Sequence, residues 1–351
     1  MNCHIIPLFL VIFILTNNLC FAVEPDKADN TQAEKSTFVL YYENDSFYHH
    51  DGYYTNAVKF RVISKPLNTL TKNGIFPDTF DSVMEKFEKT QNKQVTQYNI
   101  SAGAGQSIYT PEDTTIRDLQ EDDRPYAGYL YSFLALHAKQ TQMMDTFELT
   151  AGVVGPSALA EYAQNGVHRL RGFETAKGWD NQLHDEPAMT ISWGRNYRLN
   201  KQSIWSGLSW DVLPYHTLTA GNVLTQATAG SELRLGWNLP PSFNTSQIHP
   251  SSSIGAPTPE DMGGRQAKDW GFYIFAGAEG RAVAHNIFLD GNTWGDSHRV
   301  AKEPFVGEAS FGAAVTINSL QIAYRHVYLT EEFKKQKVAQ NFGSITLVLP
   351  F

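Results

Sequence analysis

Two residues in this chain, His168 and Glu174, could together carry out hydrolytic chemistry. His168 lies near the end of an amphipathic segment, and Glu174 follows it closely. An imidazole that faces a cleft can take a proton from water, because imidazoles titrate near neutral pH. Glu174 could orient that imidazole or complete a metal site. Taken alone, His168 is explained equally well as a solvated histidine on a helix.

The chain lacks the motifs of two common hydrolase classes. It contains no Gly-x-Ser-x-Gly elbow and no His-Glu-x-x-His sequence. An ester hydrolase with this sequence would therefore use water, not a serine, as its nucleophile.

Glu43, Asn44 and Asp45 end the first predicted strand. A carboxylate beside an amide oxygen suits a hard cation such as calcium. Asn and Asp also favour turns, so a turn that ends the strand is the alternative. A further cluster at 121–128 surrounds Arg124 with acids; it could bind phosphate, but Pro125 and the glycine at the end of the cluster indicate a structural role.

Segments with two-residue alternation recur along the chain and predict an all-β fold. At 53–64, Thr55, Lys59 and Arg61 share the face that we expect to point inward. Twelve segments have the ~10-residue length that tilted membrane-spanning strands need. They are 36–47, 53–64, 95–109, 126–138, 143–154, 187–198, 203–216, 224–238, 269–284, 304–317, 319–331 and 341–351. The sequence therefore predicts a twelve-stranded antiparallel transmembrane β-barrel.

An even strand count places both termini on the periplasmic side and the candidate residues near the extracellular rim. The longest outward connection is 155–186. Residues 156–171 within it are predicted to form a short helix, with Ser157 as its N-cap and Gly172 as its stop. Tight periplasmic turns are predicted at 139–142, at 199–202 and at Asn318.

Both ends of the chain agree with an outer-membrane barrel. The last segment puts Ile345, Leu347, Leu349 and Phe351 on one face. Such barrels end this way because the last strand pairs with the first and faces lipid. The apolar run at 5–15 predicts a signal peptide at 1–22, cleaved after Ala22. A periplasmic lead at 23–35 and the barrel at 36–351 would follow.

Composition narrows the class further. The formal net charge of −8 argues against a nucleic-acid partner. No stretch after residue 22 approaches ~18 apolar residues, so a chain that spans a membrane would do so with strands. Both cysteines, Cys3 and Cys20, lie in the predicted signal, so the mature chain is expected to need no disulfides.

Six motifs, taken in order, resemble the outer-membrane lipid A 3′-O-deacylase family. They are Glu-Asn-Asp at 43–45, Tyr-Tyr-Thr-Asn at 53–56, Asp-Arg-Pro-Tyr-Ala-Gly at 123–128, Val-Gly-Pro at 154–156, Gln-Asn-Gly-Val-His at 164–168 and Gly-Trp-Asp-Asn-Gln-Leu at 178–183. The resemblance extends over 36–351. It implies a barrel whose active site lies between the barrel wall and a loop helix. It also implies calcium-dependent hydrolysis of the ester-linked acyloxyacyl chain at the 3′ position of lipid A.

The resemblance also implies roles for individual residues. His168 would be the general base that activates water, and Asp45 would bind Ca²⁺. Asn44 would help to position the metal or the oxyanion, and Thr55 would line the same site. Glu174 would be the second acidic residue, at the metal.

Two assignments stay open within that resemblance. Glu186 replaces Glu174 if the loop aligns differently. Arg117 lies in the loop expected to hold the lipid A phosphates, but that loop is rich in acids.

The expected partner is lipid A, or lipopolysaccharide, in the outer leaflet of a Gram-negative outer membrane. The protein is expected to be monomeric. The alternatives are an outer-membrane phospholipase and a non-catalytic porin or adhesin barrel.

Overall fold

A computed structural model describes residues 35–45, 53–71, 81–90, 97–199, 201–243, 270–318 and 320–351. The predicted signal peptide at 1–22 and nearly all of the predicted lead at 23–35 lie outside the described residues.

The described residues form a closed antiparallel barrel of twelve long strands, as predicted. Each of the twelve long strands pairs with the long strands before and after it in the chain, with β6 joined to β8, and β1 pairs with β13 to close the barrel. A two-residue strand, β7, pairs only with β8. The strands are β1 Thr37–Asn44, β2 Tyr53–Ile63, β3 Gln97–Thr110, β4 Ala127–Lys139, β5 Met143–Val154, β6 Glu186–Tyr197, β7 Gln202–Ser203, β8 Leu208–Gly221, β9 Leu224–Trp237, β10 Trp270–Asn286, β11 Phe305–Ile317, β12 Leu320–Leu329 and β13 Gln340–Pro350.

The two-residue alternation explains the strands. In β1, Val39 and Tyr41 are buried inside the barrel, while the alternate residues Phe38, Leu40 and Tyr42 are half-buried on the outside. The last strand pairs with the first, with Leu347 opposite Leu40. The backbone N–H of Phe351 donates to Ser36, which extends this pairing to the last residue. The apolar ending of the sequence therefore has the role predicted for it.

The connection between β6 and β8 differs from the prediction. A tight turn at 199–202 was expected, but β8 begins at Leu208. Ser203 instead pairs with Ser209, and Gly207 has a φ of 82° in the turn between them. The left-handed backbone of Gly207 makes a local hairpin that alternation alone does not reveal. The predicted tight turn between β4 and β5 is confirmed by the bond from Gln140 N–H to the Met143 carbonyl.

Three α-helices lie in the described connections. Asp81–Thr90 lies in the long connection after β2 and was not predicted; its Phe87 ring packs on Phe147, with centroids 5.2 Å apart. Ala160–Arg171, called the loop helix below, follows β5, and a single turn, Ile287–Asp290, follows β10. Within the described ranges, no helix has the length and apolar character to cross a bilayer.

Charged side chains fill the barrel interior as matched pairs. Arg61 donates to Glu148 at 2.6 Å, and Lys59 lies 3.9 Å from the same carboxylate. Arg234 binds Asp211 through two nitrogens, at 2.8 and 2.6 Å. The first pair joins β2 to β5 across the interior, and the second joins the neighbouring strands β8 and β9, so both help to fix the register of the barrel.

Candidate active site

A row of four outward-facing residues, called the floor row below, crosses the first four strands near the rim. The register joins Gly128 to Ile108, Ile108 to Asn56, and Asn56 to Asn44. The neighbouring Tyr109 lines the interior of the barrel. Because side chains alternate along a strand, the row lies on the outer face.

Thr55 leaves the inward-facing series because of a β-bulge. The β2–β3 register shifts between Tyr54 and Asn56, so Thr55 is the extra residue. A bulge interrupts the alternation that predicts side-chain direction. The Thr55 hydroxyl lies 2.8 Å from that of Thr110, which shares the face of Ile108. The prediction that Thr55 points inward was wrong, and the bulge brings its hydroxyl beside the floor row.

Asn44 and Asp45 lie at the end of the floor row. The Asn44 side-chain N–H donates to the Thr55 carbonyl at 2.9 Å, which fixes the amide against the bulge. Asp45 follows directly and is only 2% exposed. A buried carboxylate beside an amide and hydroxyl oxygens is a donor set that calcium accepts. In the part of the chain that the structure describes, no three His, Cys, Asp or Glu side chains cluster as a metal site.

The loop helix packs on the outer wall because Gly128 has no side chain. A Cβ added at Gly128 would lie 2.5 Å from the Cβ of Ala160, well inside van der Waals contact. Ala160 packs in one cluster with Ile108, Tyr126 and Trp179. The helix therefore lies beside the floor row on the outside of the barrel, and the two facing surfaces are called the outer cleft below.

The ends of the loop helix differ in how well they were predicted. It ends at Gly172, whose φ of 73° is left-handed, as predicted. Ser157 is not the N-cap, because Leu159 has that position and a 3-10 turn, Pro156–Ala158, precedes it. The Ser157 hydroxyl instead donates to Asp185 at 2.7 Å. This bond closes the loop and was not visible as a local signal.

His168 lies on the buried face of the loop helix. It is 7% exposed, and its Nδ1 lies 2.6 Å from the backbone carbonyl of Glu174. A carbonyl only accepts, so the geometry assigns the proton to Nδ1 and leaves Nε2 as the basic nitrogen. The structure therefore fixes both the orientation and the tautomer that a general base requires.

Glu174 contributes its backbone to this arrangement. Its carboxylate is 63% exposed and pairs with Lys177 at 2.5 Å. The sequence left open whether Glu174 orients the imidazole or binds metal. Its carbonyl orients the imidazole in this structure, and a metal role for its side chain stays a prediction.

Gln164 is a site residue for which the sequence gave no role. It is 4% exposed and lies one turn before His168 on the same face. Trp179 donates its indole N–H to the Gln164 side-chain oxygen at 2.9 Å, and an indole can only donate. The Gln164 NH₂ group has no partner among the described residues. The i, i+4 spacing from His168 was the signal that could have identified it.

Asn165 fastens the helix to the returning chain. Its side chain donates to the Ala176 carbonyl at 3.2 Å and accepts from the Ala176 N–H at 2.8 Å. Residues 174–179 thus hold the buried face of the helix in place. Their own sequence has little periodicity that would predict this role.

Glu186, the alternative second acid, has a structural role in a different loop. Its carboxylate accepts hydrogen bonds from the side chains of Asn222 and Asn292 and from the Thr293 N–H. These bonds fasten the loop after β10 to the start of β6.

Arg124 has the structural role that was predicted. It is fully buried, donates to Glu332 at 3.0 Å and lies over the Tyr109 ring. Burial raises the pKa of the adjacent Asp123, against the backbone N–H bonds that its carboxylate accepts. Arg117, in contrast, is exposed and pairs with Asp180 at 3.1 Å. A role for Arg117 in phosphate binding stays a prediction.

A closed twelve-stranded barrel with an apolar outer face defines an outer-membrane protein. The profile of the family described as outer membrane protein LpxR matches residues 8–351. The chain belongs to this family, and the predicted membership in the lipid A 3′-O-deacylase family is confirmed. Membership supports an outer-membrane enzyme that deacylates lipid A.

The solved structure of LpxR shows the same fold as this chain. LpxR from Salmonella typhimurium superimposes with a TM-score of 0.68 at 18% identity, covering 90% of this chain and 100% of that one. The transport unit of the autotransporter AIDA-I from Escherichia coli has a TM-score of 0.32 at 9% identity, covering 96% of each chain. The outer membrane enzyme PagL has a TM-score of 0.24 at 12% identity, covering 47% and 90%. No curated protein sequence matches the chain significantly.

Proposed function

We propose that this protein hydrolyses the ester-linked acyloxyacyl chain at the 3′ position of lipid A, with His168 as the general base on water. The observation that carries the proposal is the buried imidazole of His168, oriented by the Glu174 carbonyl on the face of the helix that packs against the wall. Its position outside the barrel favours a substrate that arrives through the membrane.

The dimensions of the outer cleft support this assignment. From Ala160 to His168 the helix advances ~12 Å, at about 1.5 Å per residue. The floor row from Gly128 to Asn44 crosses three strand spacings, ~14 Å. Ala160 contacts Gly128. The helix and the row are thus of comparable length, and a helix that runs along the row would carry His168 towards Asn44.

The proposed reaction needs one proton carrier. Nε2 of His168 takes a proton from water while the water oxygen attacks the ester carbonyl carbon. The bond from that carbon to the sugar oxygen breaks, and the imidazolium returns the proton to the sugar oxygen. The products are a carboxylic acid and a free 3′ hydroxyl. Such a base accelerates hydrolysis by about 10²- to 10⁴-fold.

Gln164 would stabilise the negative charge that develops on the carbonyl oxygen. Its NH₂ group is buried, and the Trp179 indole fixes which end of the amide it presents. A buried donor without a partner costs about 1–3 kcal/mol. A substrate oxygen that accepts this hydrogen bond would recover the cost in the transition state.

Asp45 would hold a calcium ion, as the family resemblance implies. When bound, the ion would polarise the ester carbonyl and favour the oxyanion. Asn44 would position the oxyanion or the metal, and the Thr55 hydroxyl would line the same site. Glu174 would join the ligands only after leaving its pair with Lys177.

The decisive experiment is mass spectrometry of lipid A from a Gram-negative host that expresses the protein. We expect the loss of one 3′-linked acyloxyacyl unit. His168→Ala, Asp45→Ala and calcium chelation should each abolish that loss while the barrel still shows its folded mobility on gels. An unchanged lipid A spectrum with folded wild-type protein and calcium present rejects the proposal.

The two alternatives have separate signatures in the same experiment. A phospholipase would release free fatty acid from glycerophospholipids and leave the lipid A mass unchanged. A porin or adhesin would be unaffected by His168→Ala. Either result would replace the deacylase proposal.

A further inference from the structure

The outer face of the loop helix carries large apolar side chains that none of the described residues covers. Leu170 is 89% exposed, Tyr162 is 72% exposed, and Phe173, just after the helix, is 55% exposed. Tyr162, Gly166 and Leu170 follow one another at four-residue spacing, so they form one stripe. Side chains this apolar are rarely left in water as a contiguous stripe.

This stripe continues the lipid-facing surface of the barrel. On the neighbouring strands, Leu134, Leu149 and Ile191 are exposed apolar residues of the outer wall. The helix packs directly on that wall at Gly128. Helices pack with their axes about 8–10 Å from what they contact, so the stripe stands outside the wall, in the surrounding medium.

The position of the helix along the barrel matches the edge of the bilayer. The β10–β11 register places exposed Trp270 at one end of the wall and exposed Phe305, opposite Ala282, at the other. The twelve residue steps from 270 to 282 cover ~40 Å of strand. A tilt of ~45° reduces this to ~28 Å along the membrane normal, about the thickness of a hydrocarbon core. The helix contacts Ile108 and Gly128. These two residues lie within two residues of the ends of β3 and β4 at the outward rim, where β11 begins with Phe305.

Basic residues border the apolar stripe. Arg169 and Arg171 are exposed, and the Arg171 guanidinium lies 6.0 Å from the Phe173 ring centroid. The chain as a whole has a net charge of −8. Arginines beside an apolar stripe are the arrangement by which an interfacial helix binds anionic lipid head groups.

We infer that the loop helix is a membrane-docking element, seated in the outer leaflet with its apolar stripe among acyl chains and its arginines on the phosphates of a phosphorylated glycolipid. Membrane docking by the loop helix is a property separate from the deacylation reaction. The helix is anchored on both faces, by the wall inside and by lipid outside, and the outer cleft opens to lipid.

A fluorescent label tests the position of the stripe without any use of activity. A chain that begins after Ala22 has no native cysteine, so a single cysteine can carry bimane. Three variants are compared: Leu170→Cys on the stripe, Ile191→Cys on the wall, and Asp118→Cys on an exposed loop. Each is reconstituted in phosphatidylcholine vesicles with brominated acyl chains.

We expect the label at residue 170 to be quenched and blue-shifted to the same extent as the label at residue 191. The label at residue 118 should be neither. If the label at residue 170 behaves like the label at residue 118, the docking inference is overturned. Deacylase activity does not enter this result, so the inference and the proposed function fail separately.

Lipopolysaccharide in the same vesicles tests the role of the arginines. It should increase the quenching at residue 170, and Arg169→Gln with Arg171→Gln should remove that increase while the quenching in phosphatidylcholine remains. An increase that survives both substitutions, or no increase at all, overturns the assignment of phosphate binding to the two arginines.

Discussion

The barrel lumen and the outer cleft both bury polar side chains, but they do so in opposite ways. In the lumen each of four arginines meets a carboxylate: Arg61 with Glu148, Arg234 with Asp211, Arg281 with Glu279 and Glu308, and Arg325 with Glu232. In the outer cleft a histidine and two amides are held by hydrogen bonds to neutral partners, beside one buried carboxylate, Asp45.

This difference separates the framework of the barrel from its candidate site. In the lumen, acids and bases bind one another across the strands, so we assign them to the scaffold. In the outer cleft, hydrogen bonds to neutral partners orient the histidine and the two amides; for Gln164 the structure describes no partner for the remaining donor. Pairs of buried charges belong to the framework here, while neutral groups oriented by hydrogen bonds lie with Asp45 at the candidate site.

The largest expected effect tests the scaffold. Glu148→Ala leaves Arg61 and Lys59 without their shared acid. Breaking a buried pair on one side costs about 3–5 kcal/mol, which urea unfolding in detergent micelles would measure. Glu148→Gln keeps an acceptor and should cost less. Deacylation per folded molecule should stay near wild type; a parallel loss of both quantities would erase the distinction between lumen and cleft.

The next effect tests the outer cleft. Gln164→Ala should lower kcat by about 10²- to 10³-fold, the usual cost of one oxyanion donor, because it removes the NH₂ group. Gln164→Glu keeps the acceptor for the Trp179 indole but has no donor, so it should lose a similar factor. If the glutamate variant retains full kcat, Gln164 only supports the helix.

The contact between the loop helix and the barrel wall at Gly128 gives a third test. Gly128→Ala places a Cβ against Ala160, so the helix must shift outward. A displacement of about 1 Å in a catalytic group can cost ~10²-fold in rate. Gly280→Ala is the matched control, because a Cβ there meets nothing within 4 Å. Equal activities of the two variants would show that the wall does not position His168.

The smallest effects concern the stability of the loop helix itself. Gly166→Ala should stabilise it by about 0.5–1 kcal/mol, since alanine lowers the entropy of the unfolded chain and the site is open. Gly172→Ala should destabilise it by about 1 kcal/mol, because φ is 73° there. Hydrogen exchange of the helix amides measures both, and shifts of the same sign would contradict the cap geometry.

Much of the fold could be predicted from local pattern. Alternation located all twelve spanning strands, and the apolar ending at Phe351 identified the strand that closes on β1. Gly172 marked the end of the loop helix. These signals are local, because side-chain period and backbone freedom are properties of a few adjacent residues.

The outer cleft was less accessible from the sequence. The bulge at Thr55 depends on the register between β2 and β3, and no residue within β2 predicts it. The Glu174 carbonyl, the indole of Trp179 and the space above Gly128 become relevant only when the loop folds back on the wall. Contacts between distant segments decide these features.

The sequence by itself determined the barrel, the family and the identity of His168, Asn44, Asp45 and Thr55 as candidates. Only the tertiary structure decided that Thr55 faces the outer cleft and that Gln164 belongs with His168. It also decided that Glu174 meets His168 through its backbone. The physical reason is that a strand or helix repeats along its own chain, whereas the direction of a hydrogen bond depends on where the partner segment returns.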